Sequence, residues 1–259
     1  MTDTLITPLE RPRRIRFDWI PGVLFTPRKT FAAIGNQNTS VWFVPIAVLI
    51  VAALLFVVVA GPLKREALMM QGPELPPDFE YYSPEQQAQF LQAAQATQGP
   101  AFIYGFPALL AVGKVLLGWM LVGGLLHLLL TMLGGRGNTG ITMNIVAWAG
   151  LPFALRYIVQ VISMLITKSQ IAGTGISGFA PAGEGFIVFI GKLMEQIDIY
   201  LIWHILLLFI AVRGSNGISK GKAWTAVLVT VLVTISLAAL AGYLSTLFGG
   251  LEVARPFFF

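Results

Sequence analysis

Five stretches of this chain are apolar over lengths that a water-soluble fold has no means of hiding. They run from Val41 to Ala60, Ile103 to Leu133, Thr142 to Ile166, Phe186 to Val212 and Ala223 to Leu247. At a rise of about 1.5 Å per residue, some 20 apolar residues cross the roughly 30 Å hydrocarbon layer of a bilayer. Each block reaches that length, and within a block the apolar residues run on instead of recurring at one-face helical spacing. Hydrocarbon offers the backbone no hydrogen-bond partner, so such segments must satisfy their own N–H and C=O groups as helices. The pattern therefore predicts an all-α, polytopic membrane protein, a five-span transmembrane helix bundle. Composition agrees: 56% of the residues are hydrophobic and 11% charged, with a mean hydropathy of +0.77. The second block, at 31 residues, must tilt or begin nearer Leu109. Lys192, Glu195, Gln196 and Asp198 interrupt the fourth, so a four-span count is the competing reading.

The first block lies behind a basic stretch and is longer than the 7–15 residues, roughly, of a signal-peptide core, so it is expected to remain as the first span. Lysine and arginine set the orientation. With the N-terminus inside, the inner segments hold ten: Arg11, Arg13, Arg14, Arg16, Arg28, Lys29, Arg136, Arg213, Lys220 and Lys222. The outer ones hold Lys64, Arg65, Lys168 and Arg255, with Lys192 near that edge. This bias predicts a cytoplasmic N-terminus and, after five crossings, an extracytoplasmic C-terminus in the cell membrane. Residues 1–40 mix those basic side chains with Phe17, Trp19, Ile20, Val23, Leu24, Phe25, Phe31 and Ile34. That mixture suits the headgroups of anionic lipid at the cytoplasmic face. A short helix is expected from Pro27 to Gly35. Residues 41–247 form the bundle. They include an outer connection, 61–102, with turn signals at Gly61-Pro62 and a helix signature at Ser83-Pro84 with Gln86. Residues 248–259 form an outer tail whose terminal Phe257, Phe258 and Phe259 suit the interface.

Candidate chemistry is sparse. There is no cysteine, which excludes disulfides and thiolate ligation. The net charge of +5 lies beside apolar blocks and points to lipid headgroups instead of nucleic acid. Gly134 to Gly140 lacks the strand and lysine of a phosphate loop and reads as a tight turn. Gly113, Gly118, Gly123 and Gly124 read as close-packing positions. His127 and His204 have no third ligand nearby in the chain, and separate hydrogen bonds are the expectation for each. Gly150 and Pro152 mark a helix kink. No nucleophile and base pair and no cofactor motif is visible, so no enzyme activity and no cofactor is expected.

The charges inside the blocks are the remaining candidates. Helical rise places Arg156 about 22 Å and Asp198 about 21 Å from the inner ends of their spans, with Glu195 at about 25 Å and Lys114 at about 28 Å. Charges at such depth usually face the bundle and pair. An Arg156–Asp198 ion pair between the third and fourth spans is one expectation. The other is that each charge separately reaches interfacial water.

Three stretches carry a likeness to a known family: Leu24-Phe25-Thr26-Pro27-Arg28-Lys29-Thr30-Phe31, then Asp198 with Trp203, then Ser219-Lys220-Gly221-Lys222-Ala223. With Ala147-Trp148 and Pro152 they span about residues 22 to 246 in order. The chain resembles the Yip-domain family, named for Ypt/Rab-GTPase-interacting proteins, and in particular its prokaryotic branch. That resemblance implies five spans with the N-terminus in the cytoplasm. It does not carry over the small-GTPase role of the eukaryotic relatives, whose long acidic N-terminal region is missing from this sequence. The expected function is a non-enzymatic membrane adaptor or organiser that packs against lipids or other membrane proteins. A small-molecule or ion permease using the kinked span and the intramembrane charges is the alternative.

Overall fold

The computed structural model describes residues 15–37, 39–72, 75–171, 173–215 and 217–254. The fold is an all-helical membrane bundle. Its helices are α1 (Trp19–Phe25), α2 (Pro27–Gly35), α3 (Phe43–Gln71), α4 (Pro84–Ala96), α5 (Phe106–Met132), α6 (Thr139–Ala149), α7 (Leu151–Thr167), α8 (Phe186–Met194), α9 (Ile199–Ser215) and α10 (Lys220–Ala254). A wider-wound turn at Ala101–Gly105 leads into α5. Four stretches among the described residues are long and apolar enough to cross a bilayer: Phe43–Met70, Ala101–Met132, Thr139–Thr167 and Lys220–Leu247. The fourth sequence block is a broken pair instead, α8 and α9 meeting at 68°.

That break has a visible cause. The connection from α7 closes on the carbonyls at the end of α8 and in the turn after it: Ile176 N–H donates to Met194 O and Ile197 O, at 3.2 and 3.0 Å, and Met194 O also accepts from Ile197 N–H at 3.2 Å. Asp198 then starts α9 by accepting from Leu201 N–H at 2.9 Å, as a helix-capping side chain does. Gly175 makes the approach possible. Its φ is +63°, and a Cβ there would lie 2.6–2.8 Å from three carbonyl oxygens. Any other residue would be strained in conformation and would clash.

Elsewhere the turn chemistry written in the chain is followed. Ser83 and Gln86 form a reciprocal cap on α4, and Asn138 Oδ1 accepts from Gly140 N–H at 2.7 Å to start α6. The Gly61-Pro62 turn is an exception, because α3 runs through Pro62 to Gln71. The residues that follow, Leu63 to Met70, are strong helix formers. Their propensity outweighs the single hydrogen bond that proline removes, and α3 stops at Gly72, with φ +67°. At the other end α10 continues as helix to Ala254, into the stretch expected as the outer tail. Phe257, Phe258 and Phe259 lie outside the described residues, as do Arg11, Arg13 and Arg14.

The core gathers where α1 and α2 cover one end of the bundle, the end bearing the Leu133–Asn138 turn. Trp19, Val23, Phe31 and Ile34, expected among lipid headgroups, are buried there instead. Trp19 meets Trp148 edge-on with ring centroids 5.6 Å apart. Phe17, Phe25, Arg28 and Lys29 stay exposed. The reason is the extended strip between α2 and α3. Asn144 donates to Thr39 O and accepts from Val41 N–H, both at 3.0 Å, and Trp148 Nε1 donates to Val41 O at 3.0 Å. Lipid tails are as apolar as the side chains, so hydrophobicity alone does not hold such helices together. Interhelical hydrogen bonds and close packing do, as at Gly123 of α5, where a Cβ would collide with the Met143 side chain of α6.

Candidate functional site

α6 and α7 are two pieces of one span, broken at Gly150, while Pro152 sits in the first turn of α7 where its missing N–H costs nothing. The break frees a carbonyl. Phe153 N–H donates to Gly150 O at 2.9 Å instead of reaching back four residues, and Ala149 O instead lies 2.7 Å from His204 Nδ1 of α9. A carbonyl only accepts, so that ring nitrogen carries the hydrogen. His204 is buried and also packs on Phe153, centroids 4.9 Å apart. It is a strut between α9 and the kink.

Two turns along α7 from that kink, Arg156 Nη2 lies 2.5 Å from Asp198 Oδ2, with side-chain exposures of 18% and 15%. The same carboxylate therefore starts α9 and ties it to α7. Glu195 is engaged elsewhere, 2.8 Å from Lys192 of α8. His127 belongs to the opposite end of the bundle. Its Nε2 lies 3.0 Å from Thr139 Oγ1 and its Nδ1 3.5 Å from Thr142 Oγ1. The structure thus brings Arg156 and Asp198 together and bonds the two histidines to separate partners.

A cavity of about 400 Å³ connects several of these groups. Lys114 of α5, Arg156 and Tyr157 of α7, and Gln196 before α9 line one end. Gly150, Phe153 and His204 lie further in, and Leu117, Gly118, Leu121 and Leu237 form an apolar side. The charged end offers cationic and hydrogen-bonding groups but no nucleophile paired with a base. Cationic and N–H-bearing groups of this kind can hold an anion. Tyr157 is not among the sequence candidates, and Gln196 figures there only as a polar interruption of the fourth block. Their signal was position alone, Tyr157 next to Arg156 and Gln196 between Glu195 and Asp198, and only the packing shows that they face the same space.

The family model for the Yip1 domain matches residues 22–243, from within α1 to within α10. The chain belongs to the Yip1 domain family. No curated protein and no solved structure matches it. The Yip1 domain here takes in the α1–α2 elbow as well as the membrane helices, so the buried contacts of Val23, Phe31 and Ile34 belong to the domain itself. The kink at Gly150, the Arg156–Asp198 pair and the Lys114 cavity all lie inside the Yip1 match.

Proposed function

We propose that this protein is a non-enzymatic organiser of the membrane, working by packing against lipids or other membrane proteins, with five crossings and a cytoplasmic N-terminus in the plasma membrane. The observation that carries the reading is the face made by α5 and α10. In their most apolar windows only 17% and 22% of the residues are buried, against 56% in the α6–α7 span. α5 also keeps Gly113, Gly118 and Gly124, and nothing lies within 4 Å of where a Cβ of any of them would stand. Glycine inside a helix costs about 1 kcal/mol relative to alanine. No internal contact offsets that cost here, whereas small residues do let another helix or a lipid approach closely.

The permease reading draws on the charged cavity and the broken spans, features that transporters place at substrate sites. Against it stands the filling of the other half of the bundle, where Leu126, Leu130, Ile145, Trp148, Leu207 and Leu208 are buried in one cluster.

The absence of cysteine from the chain makes a direct test simple. Single cysteines at Gly113, Gly124 and Leu201 are treated in sealed vesicles with a water-soluble maleimide. An organiser leaves Gly113→Cys and Gly124→Cys unreactive from either side, in contact with lipid or protein. Labelling of Leu201→Cys from both sides would reveal a conducting path and overturn the proposal.

A further inference from the structure

We propose that the cavity between α5, α7 and α10 binds one anionic phospholipid, its phosphate held by Lys114 and Arg156 and an acyl chain lying along Leu117, Gly118, Leu121 and Leu237. This rests on the reading of the α5–α10 face as one that meets lipid, and narrows it to a site and a headgroup charge.

The shape of the cavity comes first. Its volume of about 400 Å³ lies within the roughly 300–1,000 Å³ of ligand pockets. α5 and α10 meet near the Leu133 turn, where Lys222 Nζ donates to Leu133 O at 2.8 Å. Further along they part, and Gly118 faces open space. The lining residues at this gap, Leu117, Leu121 and Leu237, are 62%, 52% and 49% exposed. The mouth is therefore apolar and opens sideways between two membrane helices. A dissolved solute would have to cross hydrocarbon to enter it, whereas a lipid chain already lies there.

Charge decides the class of lipid. Asp198 is engaged by Arg156 and Glu195 by Lys192. Lys114 forms no ion pair among the described residues, Glu195 acting on it only at longer range, and together these five groups carry one positive charge in excess. An unmatched charge within the apolar span is costly, and an anion offsets it. Arg156 can offer its remaining N–H groups to a phosphate while keeping its carboxylate, and Lys114 supplies a mobile point charge.

Polarity along the cavity completes the match. The stretch of α5 from Lys114 to Val122 is about 12 Å long at helical rise, with its cation at one end and apolar lining beyond it. Tyr157 and Gln196 stand at the same end as Lys114 and Arg156. A headgroup at that end and a chain running inward past Leu117 and Leu121 follow this order of polar and apolar walls.

The test uses the full chain in phosphatidylcholine vesicles holding a small fraction of a photoactivatable lipid, with the reactive group in the acyl chain. Adducts are mapped by mass spectrometry. Phosphatidylglycerol probe is expected to label Leu117, Leu121 and Leu237 about tenfold more than phosphatidylcholine probe, the discrimination of one well-placed charge contact. Lys114→Met should remove that preference. So should the joint variant Arg156→Gln with Asp198→Asn, which discards the arginine without leaving its carboxylate unpaired, and serves if Lys114→Met does not insert. Excess inorganic phosphate should not compete. Equal cavity labelling by both probes, unchanged preference in both variants, or loss of labelling to free phosphate would each overturn the proposal. Labelling of the exposed Leu110, Met120 and Leu128 with none in the cavity would sink this site alone. No labelling at those outward positions by either probe would sink the lipid-meeting reading as well.

Discussion

Neutralising Arg156 and Asp198, singly and together, tests what joins α7 to the broken span. Asp198 has two tasks, since one carboxylate oxygen accepts from Leu201 N–H while the other meets Arg156. Asp198→Asn keeps an oxygen for the helix start and removes only the charge, whereas Asp198→Ala removes both, and the difference should be about 1 kcal/mol. Exposed ion pairs contribute about 0–1 kcal/mol, while stripping one partner from a buried pair costs about 3–5 kcal/mol. Side-chain exposures of 18% and 15% put this pair nearer the buried limit, and about 2–3 kcal/mol is expected for Arg156→Gln or Asp198→Asn alone. The double variant leaves no orphaned charge, so it should cost about 2 kcal/mol less than the sum of the singles. A charge reversal is a poorer probe, because arginine at position 198 would lose the cap and place a cation at a helix N-terminus. Equilibrium unfolding in mixed micelles of a mild detergent and SDS measures all four proteins. A coupling below about 0.5 kcal/mol, the ordinary error of additivity, would show that the two side chains do not act as a pair.

Asn144→Leu should destabilise the chain by roughly 2–6 kcal/mol in the same assay, because it orphans Thr39 C=O and Val41 N–H, each costing about 1–3 kcal/mol when buried; a loss under about 1 kcal/mol would contradict the account of the strip between α2 and α3. Gly175→Ala should loosen the α8–α9 break, seen as faster amide exchange at Ile176 and earlier proteolysis in residues 168–185, while Gly178→Ala, with nothing within 4 Å of its added Cβ, should do neither. For the threading, a reporter fused after Phe259 should score as extracytoplasmic and one inserted between Gly135 and Arg136 as cytoplasmic; cytoplasmic activity of both would leave an even number of crossings and α8–α9 as a re-entrant hairpin.

Much of this architecture could be read from local chemistry. The apolar blocks announce membrane helices because hydrocarbon leaves the backbone only itself to bond with. The cap at Ser83 and the proline at the start of α2 act within a turn or so of their own position. Each could be recognised without knowing what lay across the bundle. Where two local signals competed, the reading failed. At Gly61-Pro62 a turn dipeptide sat in front of a run of helix formers, and the run prevailed. The candidate site was legible only in part. Helical rise puts Arg156 and Asp198 at a similar depth, but depth says nothing about rotation, and only the packing turns the two side chains toward each other.

By itself, then, the sequence determined that the chain is an all-helical membrane protein, and its ordered motifs pointed to the family, because span length and spacing are properties of the chain alone. The tertiary structure decided what depends on partners far apart in sequence. The α1–α2 elbow buries Trp19 and Phe31 because Trp148 and Asn144 stand more than a hundred residues away to receive that segment. The span containing Glu195 and Asp198 breaks because the connection around Gly175 reaches its carbonyls, and Lys114 and Arg156 share one cavity because α5 and α10 part beside α7. None of these contacts leaves a local periodicity, since each is made by side chain and backbone meeting across helices.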